Sequence, residues 1–434
     1  MAGFLGVCPS EYNADLSALR RIGRGSSAYR TALNQDGARA MSELFHEVAS
    51  IDYPIVDSDS HVNEPPDLWL DRIPKRFKDR APRIVKTESG EVWNFDDGKG
   101  VWPVGLTAVA GVSYLDIRPF GFSYESIRPG SFVASERLRD MDADGIYAAV
   151  HYPSVTLKGA RTYSDDPELQ RCCVRAYNEW LAEFCQDSDG RLIGLGIMPT
   201  TGIEDSLAEL EWSLKQGHKG VIISAFPNGS LDPQPEDDRF WGLAAEAGVP
   251  VSVHIGSFMS DDFGPQKTTD WKTLRFIGSA CWTKAGGQTL GVVCDLIFAG
   301  IWDRFPDLRI VLVEANIGWI PTLLEQSDDM FARYRWYTEA VDKMKLMPSE
   351  IFHRNFYATF MIDTVGVEMR HRMNLDHLMW STDYPHSGSD WPNSRVTIER
   401  NFRGVPRAEV KKMLHTNCKE LYRLDDIPDV KLGR

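Results

Sequence analysis

Residues 55–65 read Ile-Val-Asp57-Ser-Asp59-Ser-His61-Val-Asn-Glu64-Pro. The stretch opens on β-branched residues and closes on proline, the pattern of a short strand ended by a turn. Strand side chains alternate between faces, so Asp57, Asp59 and His61 are expected to point the same way. Carboxylates and imidazoles at the end of an apolar strand are costly to bury unless they are paired or hold a cation. The fold therefore turns on whether other strands end in the same manner.

Working outward, short β-branched runs alternate with helical periodicity from residue 55 onward, the mark of repeated βα units and a parallel sheet. The expected strands cover 55–61, 146–152, 192–198, 220–224, 249–254, 309–314, 355–360 and 377–382. Helical patterns fall at 135–143, 167–187, 203–216, 236–247, 288–300, 319–341, 364–373 and 393–402, and a further amphipathic stretch, 407–421, is expected to close the barrel floor. Eight strands, each followed by a helix, is the count of a (β/α)8 TIM barrel and exceeds what most doubly wound sheets need.

Three more of these strands end like the first. The fifth reads Val-Ser-Val-His254, the sixth Ile-Val-Leu-Val-Glu314, and the eighth Leu-Met-Trp-Ser-Thr-Asp383-Tyr-Pro-His386. In a closed barrel these ends converge on one mouth. Any one of them could be an ordinary hydrogen-bonded residue; together they point to a divalent metal held by Asp59, His61, His254 and Asp383. Glu64, Glu314 and His386 are the expected catalytic groups, and His151, ending the second strand, is a candidate for holding a substrate carboxylate. Arg137 and Arg161 are weaker candidates for that same contact.

Two connections are too long for plain βα loops. Residues 65–134 follow the first strand and carry Trp69, Trp93, Trp102, Tyr114 and Tyr124; residues 256–287 follow the fifth and carry Trp271 and Trp282. Insertions of this size at the carboxyl end of a barrel are expected to serve as lids or subunit contacts. Residues 1–50 read as a separate arm, 51–424 as the barrel and 425–434 as a tail.

The 434 residues are 43% hydrophobic and 11% aromatic, ample for a large core. Acidic side chains outnumber basic ones 62 to 48 with no basic stripe, which argues against nucleic acid. Seven cysteines with no CxxC pair suggest reduced thiols and a cytoplasmic setting. There is no long apolar run to cross a membrane, no P-loop and no nucleophile elbow. Gly23-Arg-Gly25-Ser-Ser-Ala28 follows a helical stretch and is rejected as a dinucleotide motif.

The Asp57-Ser-Asp59-Ser-His61 stretch with Glu-Pro-Pro-Asp-Leu-Trp resembles the first-strand signature of the decarboxylase-like, amidohydrolase-related branch of the amidohydrolase superfamily. Arg137-Leu-Arg-Asp-Met-Asp-Ala-Asp-Gly145, His151-Tyr-Pro-Ser, Val-His254-Ile-Gly, Glu314-Ala-Asn-Ile-Gly-Trp319 and Ser-Thr-Asp383-Tyr-Pro-His386 extend the likeness over residues 52–424. The resemblance implies that His61, His254 and Asp383 are ligands. Two positions depart from it: Asp59 stands where the family has the first histidine of a His-x-His pair, and Glu314 where a histidine is common.

Exchanging imidazole for carboxylate hardens the site, favouring Fe or Mn over Zn, with one or two ions. The carboxylate count resembles the family's two-metal oxygenases, and a dinuclear Fe or Mn oxygenase hydroxylating a small carboxylate is the first expectation. The alternatives are a mononuclear decarboxylase or hydrolase, and a metal-binding structural subunit beside a paralogous barrel. A homo- or hetero-oligomer and a small-molecule substrate are the expected partners.

Overall fold

The computed structural model describes residues 51–430 apart from Ser89, Lys158, 259–286, Gln288 and Glu339. The arm read at 1–50 and most of the second insertion lie outside the described residues. The first strand, β1 (Val56–Val62), is followed by an insertion holding β2 (Arg83–Thr87), β3 (Gly90–Phe95) and β4 (Gly100–Pro103). The remaining strands are β5 (Ala148–Pro153), β6 (Leu192–Ile197), β7 (Gly220–Ile222), β8 (Val251–His254), β9 (Ile310–Val313), β10 (Phe356–Phe360) and β11 (Leu378–Trp380). β1 and β5 to β11 pair in parallel in that order, forming one eight-stranded sheet.

The ring closes between its first and last strands. Asp383 N donates to Asp59 O at 2.9 Å, His61 N to Tyr384 O at 2.6 Å, and Ser58 Oγ to Trp380 O at 2.9 Å. The architecture is a (β/α)8 barrel. β5, β6, β8 and β9 are buried along their whole length, as expected of strands covered by helices outside and packed side chains within.

The helices follow their sequence signals. Asp166 caps Pro167–Gln186 by accepting from Glu168 N and Leu169 N, and proline at the first turn gives up no needed donor. Ala134–Asp144 and Ile203–Gln216 stop at Gly145 and Gly217, whose φ of 77° and 87° suits glycine. Other boundaries differ from expectation. The helix read at 319–341 ends at Tyr334, and the one at 364–373 is a short helix, Thr364–Glu368, followed by a 3-10 turn. The stretch 407–421 passes through a π-helical segment, Lys412–Thr416, and meets the amino ends of two barrel strands: His415 Nδ1 lies 2.9 Å from Pro54 O, before β1, and Asn417 Nδ2 donates to Leu378 O of β11 at 2.7 Å. Just beyond it, Tyr422 OH lies 3.3 Å from Tyr152 OH, which is also 3.1 Å from Ser252 Oγ.

The first insertion is not a plain loop. β2, β3 and β4 form an antiparallel sheet on which Trp93 packs edge-on against Trp69, with ring centroids 5.2 Å apart. Its far end grips the loop after β11: Val109 N and Ala110 N both donate to Pro385 O, at 2.9 and 3.0 Å. Within the stretch read as a tail, Ile427 is buried and Asp429 pairs with Lys419. Cys172, Cys173, Cys185, Cys294 and Cys418 are free thiols. Among the described residues, no helix is long and apolar enough to cross a membrane.

Candidate metal centre

β1, β8, β9 and β11 deliver their terminal side chains to one mouth. His61 Nε2 lies 3.3 Å from Asp59 Oδ1 and 3.4 Å from Asp383 Oδ1. His254 Nε2 lies 3.6 Å from both Asp59 Oδ1 and Glu314 Oε2. Close as they are, Asp59 Oδ1 and Oδ2, His61 Nε2, His254 Nε2, Glu314 Oε2 and Asp383 Oδ1 are buried with no hydrogen-bond partner. Unpartnered polar atoms are rare in protein interiors, and six at one point call for a cation. Donors each about 2.1 Å from a common ion sit roughly 3 to 4 Å from one another, which matches these spacings.

The imidazoles are prepared for that role. Pro153 O lies 3.0 Å from His61 Nδ1, and Ile255 O lies 3.0 Å from His254 Nδ1. Each carbonyl can only accept, so Nδ1–H donates and the Nε2 lone pair faces the cluster. Two nitrogens and three carboxylates suit a hard divalent ion such as Mn or Fe.

Electrostatics carry the same message. Burial, reinforced by the charge of neighbouring carboxylates, pushes the Glu314 and Asp383 carboxyls well above their ordinary range. Burial opposes ionisation of Asp59 too, but the imidazoles of His254 and His61 hold it below the usual carboxylate range. Burial works against charge on His254, yet Asp59 and Glu314 bring it up to about 9. Burial, with a neighbouring imidazole, presses His61 and His386 down to about 3. A divalent ion at this point would compete with protons for His254 and for the carboxylates around it.

The donor atoms fall into two overlapping groups, Asp59–His61–His254–Glu314 and His61–Glu314–Asp383–His386. His386 differs from the rest. Its ring stacks on His61 at 3.8 Å, its Nδ1 lies 2.9 Å from Asp383 Oδ1 outside hydrogen-bonding alignment, and its Nε2 meets Ser154 Oγ at 3.0 Å.

Two of the candidate ligands sit on strained backbone. Glu314 and Asp383 adopt φ of 59° and 54°, conformations non-glycine residues rarely hold unless their surroundings fix them. Thr359 Oγ1 accepts from Glu314 N at 2.9 Å, and Asp363 accepts from Ile317 N at 2.6 Å, Gly318 N at 2.7 Å and Gly366 N at 2.8 Å. Neither Thr359 nor Asp363 was singled out by sequence, although Asp363 before Thr364–Glu368 carries a helix-cap signal. Ser154 was also passed over.

Several expected residues lie elsewhere. Asp57 does not share the face of Asp59 and His61, because the pairing of β1 with β5 shifts register between Asp57 and Ser60; its carboxylate accepts instead from Thr382 N at 2.9 Å and from the Thr382 hydroxyl. Glu64, expected as a catalytic group, stands apart from the cluster. Its carboxylate accepts from Val155 N at 3.1 Å and faces Thr156 Oγ1 at 3.5 Å, outside both donor groups. His151 does not reach the cluster: its Nδ1 meets Arg137 Nη1 at 3.2 Å and its ring packs edge-on against Phe184, in the helix layer. Its neighbour Tyr152 is the residue turned inward. Arg137 is fully buried behind β1, donating to Gly130 O, Ser60 Oγ and His61 O. Arg161 is exposed and donates to Gly229 O at 2.6 Å.

Beside His254 lies a narrow cleft of about 10 Å³, room for about one water, walled by Leu157, Ile197, Met198 and Ile222, with Thr156, Ser224 and Ser257 at its polar points. Residues 107–424 match the amidohydrolase family model. Decarboxylase orsB of Emericella nidulans is 23% identical over 315 residues, 66% of this chain and 89% of that protein. An amidohydrolase from Mycobacterium avium subsp. paratuberculosis superposes with a TM-score of 0.68 at 20% identity, covering 86% of this chain and all (100%) of the other. Dihydroxybenzoic acid decarboxylase from Polaromonas, solved with manganese and 2-nitroresorcinol bound, superposes with a TM-score of 0.55 at 17% identity, covering 86% and 98%. With a barrel closed through its ligand-bearing strands and a family match over most of its length, this chain belongs to the amidohydrolase family.

Proposed function

We propose that the chain is a metal-dependent decarboxylase of a small aromatic carboxylate. One observation carries this reading: buried, unpartnered atoms of Asp59, His61, His254, Glu314 and Asp383 converge beside a small, largely apolar cleft. Relatives named as decarboxylases support it, in preference to the hydroxylation expected from the carboxylate count.

A divalent ion held by these residues would polarise a substrate oxygen and gather the substrate's negative charge. The chain's own part is orientation and proton handling. Leu157, Ile197, Met198 and Ile222 place apolar side chains beside the metal centre, an environment suited to keeping bulk water from it. Loss of CO2 breaks the bond from ring carbon to carboxylate, and that carbon must then take a proton. His386, which meets Ser154 Oγ at 3.0 Å and stacks on His61 at the edge of the cluster, is the group placed to carry that proton. The test is CO2 release from a panel of hydroxybenzoates by manganese-loaded protein, with chelated protein as reference. Metal-dependent release supports the reading, and its absence across the panel argues against it.

A second reading, a two-metal oxygenase, is favoured by the two donor groups sharing His61 and Glu314. Two Fe or Mn equivalents per chain and substrate-dependent oxygen uptake would replace the decarboxylase reading with this one. Nothing specific favours a purely structural subunit.

A further inference from the structure

We propose that Glu64 is a positioning residue of the metal centre: its buried carboxyl fixes the turn Pro153–Thr156, and that turn sets the imidazoles of His61 and His386. The inference rests on the metal binding contained in the reading above, whichever reaction the centre performs.

The turn leaves the end of β5 and meets the mouth at three points. Pro153 O accepts from His61 Nδ1 at 3.0 Å, Ser154 Oγ meets His386 Nε2 at 3.0 Å, and Pro153 and Thr156 border the cleft beside His254. The carbonyl contact decides which nitrogen of His61 faces the cluster, so the path of the turn sets the aim of that ligand. Ligand constellations tolerate displacements of only about 0.5 Å and rotations of about 10 to 20°. A turn free to drift by that much would misdirect His61 and His386 together.

Glu64 reaches the turn from just past the end of β1. One carboxyl oxygen accepts from Val155 N at 3.1 Å, and the other faces Thr156 Oγ1 at 3.5 Å. Both Glu64 and Val155 are buried, so neither group can turn to water instead. Glu64 is itself held in place. Tyr124 OH donates to Glu64 O at 2.6 Å, Asn63 N donates to Ser131 O at 2.8 Å, and Pro65 and Pro66 stiffen the chain that follows. An acid is a costly occupant of a fully buried position. An apolar side chain would avoid that cost but leave the Val155 N–H without a partner, and the turn would shift to find one.

The test is calorimetric binding of Mn(II) to the full chain and to its Glu64→Gln, Glu64→Ala and Glu64→Asp variants, each at a temperature where circular dichroism shows it folded. Glu64→Gln keeps an acceptor for Val155 N at the same reach and should bind manganese nearly as tightly as the unaltered chain. Glu64→Ala should bind about tenfold more weakly, the lower end of the range for groups that orient a metal ligand. Glu64→Asp stops one methylene short of Val155 N and should behave like Glu64→Ala; it decides the matter should the alanine variant not fold. A purely structural Glu64 would lower resistance to urea in these variants and leave the manganese affinity of the folded protein unaltered. That result, or a loss in Glu64→Gln equal to that in Glu64→Ala, overturns the proposal while the metal assignment stands. No manganese binding to the unaltered chain overturns both.

Discussion

Gly388→Ala offers a sharp test of the geometry at the mouth. A Cβ at Gly388 would lie 2.6 Å from Asp383 Oδ2 and 3.5 Å from Met361 Cε. The first distance is well inside any tolerated contact, so the Asp383 carboxylate has to retreat by about half an ångström, the tolerance within which a ligand constellation must be held. Asp383 cannot move as a whole, because its N–H is bonded to Asp59 O across the barrel seam at 2.9 Å. The displacement therefore falls on the side chain that faces His61. Manganese affinity should drop about 10- to 100-fold, the range seen when residues supporting a metal ligand are changed. Crowding of this kind should also lower the stability of the metal-free protein by about 1 to 3 kcal/mol. Gly291→Ala is the control: it is helical, an added Cβ there meets nothing within 4 Å among the described residues, and the exchange should stabilise by about 0.5 to 1 kcal/mol without touching the metal. Isothermal titration with Mn(II) and thermal unfolding measure both effects. Affinity for manganese in Gly388→Ala equal to that of the unaltered protein would refute the placement of Asp383 as a ligand.

Asp363→Ala removes the acceptor of three backbone N–H groups behind Glu314, so unfolding should cost about 1 to 3 kcal/mol less and manganese binding should weaken; urea titration and calorimetry check the two. Burial raises the Glu64 carboxyl from 4.5 to about 8, so between those values the unfolded chain gives up a proton that the fold keeps. Stability from this group is therefore fully present below about pH 4.5, declines as pH rises toward 8, and Glu64→Gln should remove that slope in pH-dependent denaturation. Excess Mn(II), at about 100 times its dissociation constant, should stabilise the protein by about 2.7 kcal/mol, and chelation should reverse the rise in melting temperature.

Residues whose placement depends on a strand simply ending at the mouth were legible in sequence. His254 and Asp383 follow largely apolar runs and His61 lies near the end of β1, and a barrel brings such ends together whatever the details of the loops. Residues whose placement depends on a partner strand were not. The register shift between Asp57 and Ser60 exists only in the pairing of β1 with β5, and it separates Asp57 from Asp59 despite their period-two spacing. His151 and Tyr152 are adjacent, so either could have faced inward. Only the register of β5 decides that Tyr152 does, leaving His151 with Arg137. Glu64 lies past the strand, in a turn whose direction no periodicity specifies. The antiparallel sheet in the first insertion had left a sign in Gly90-Glu-Val-Trp-Asn-Phe95, whose Val92, Trp93 and Phe95 are strand-favouring and buried, but the surrounding loop composition masked it. The supports of Glu314, Thr359 and Asp363, come from the neighbouring strand and turn, some 45 residues away in sequence.

The central claim is that Asp59, His61, His254, Glu314 and Asp383 hold a divalent metal. It is tested most directly by measuring the metal content of protein reconstituted anaerobically with Mn(II) or Fe(II), beside Asp383→Ala treated identically. The expected result is retention of at least one equivalent by the unaltered chain and its loss in the variant, with the variant still folded by circular dichroism. No retained metal in the unaltered chain, or equal retention in Asp383→Ala, would contradict the assignment.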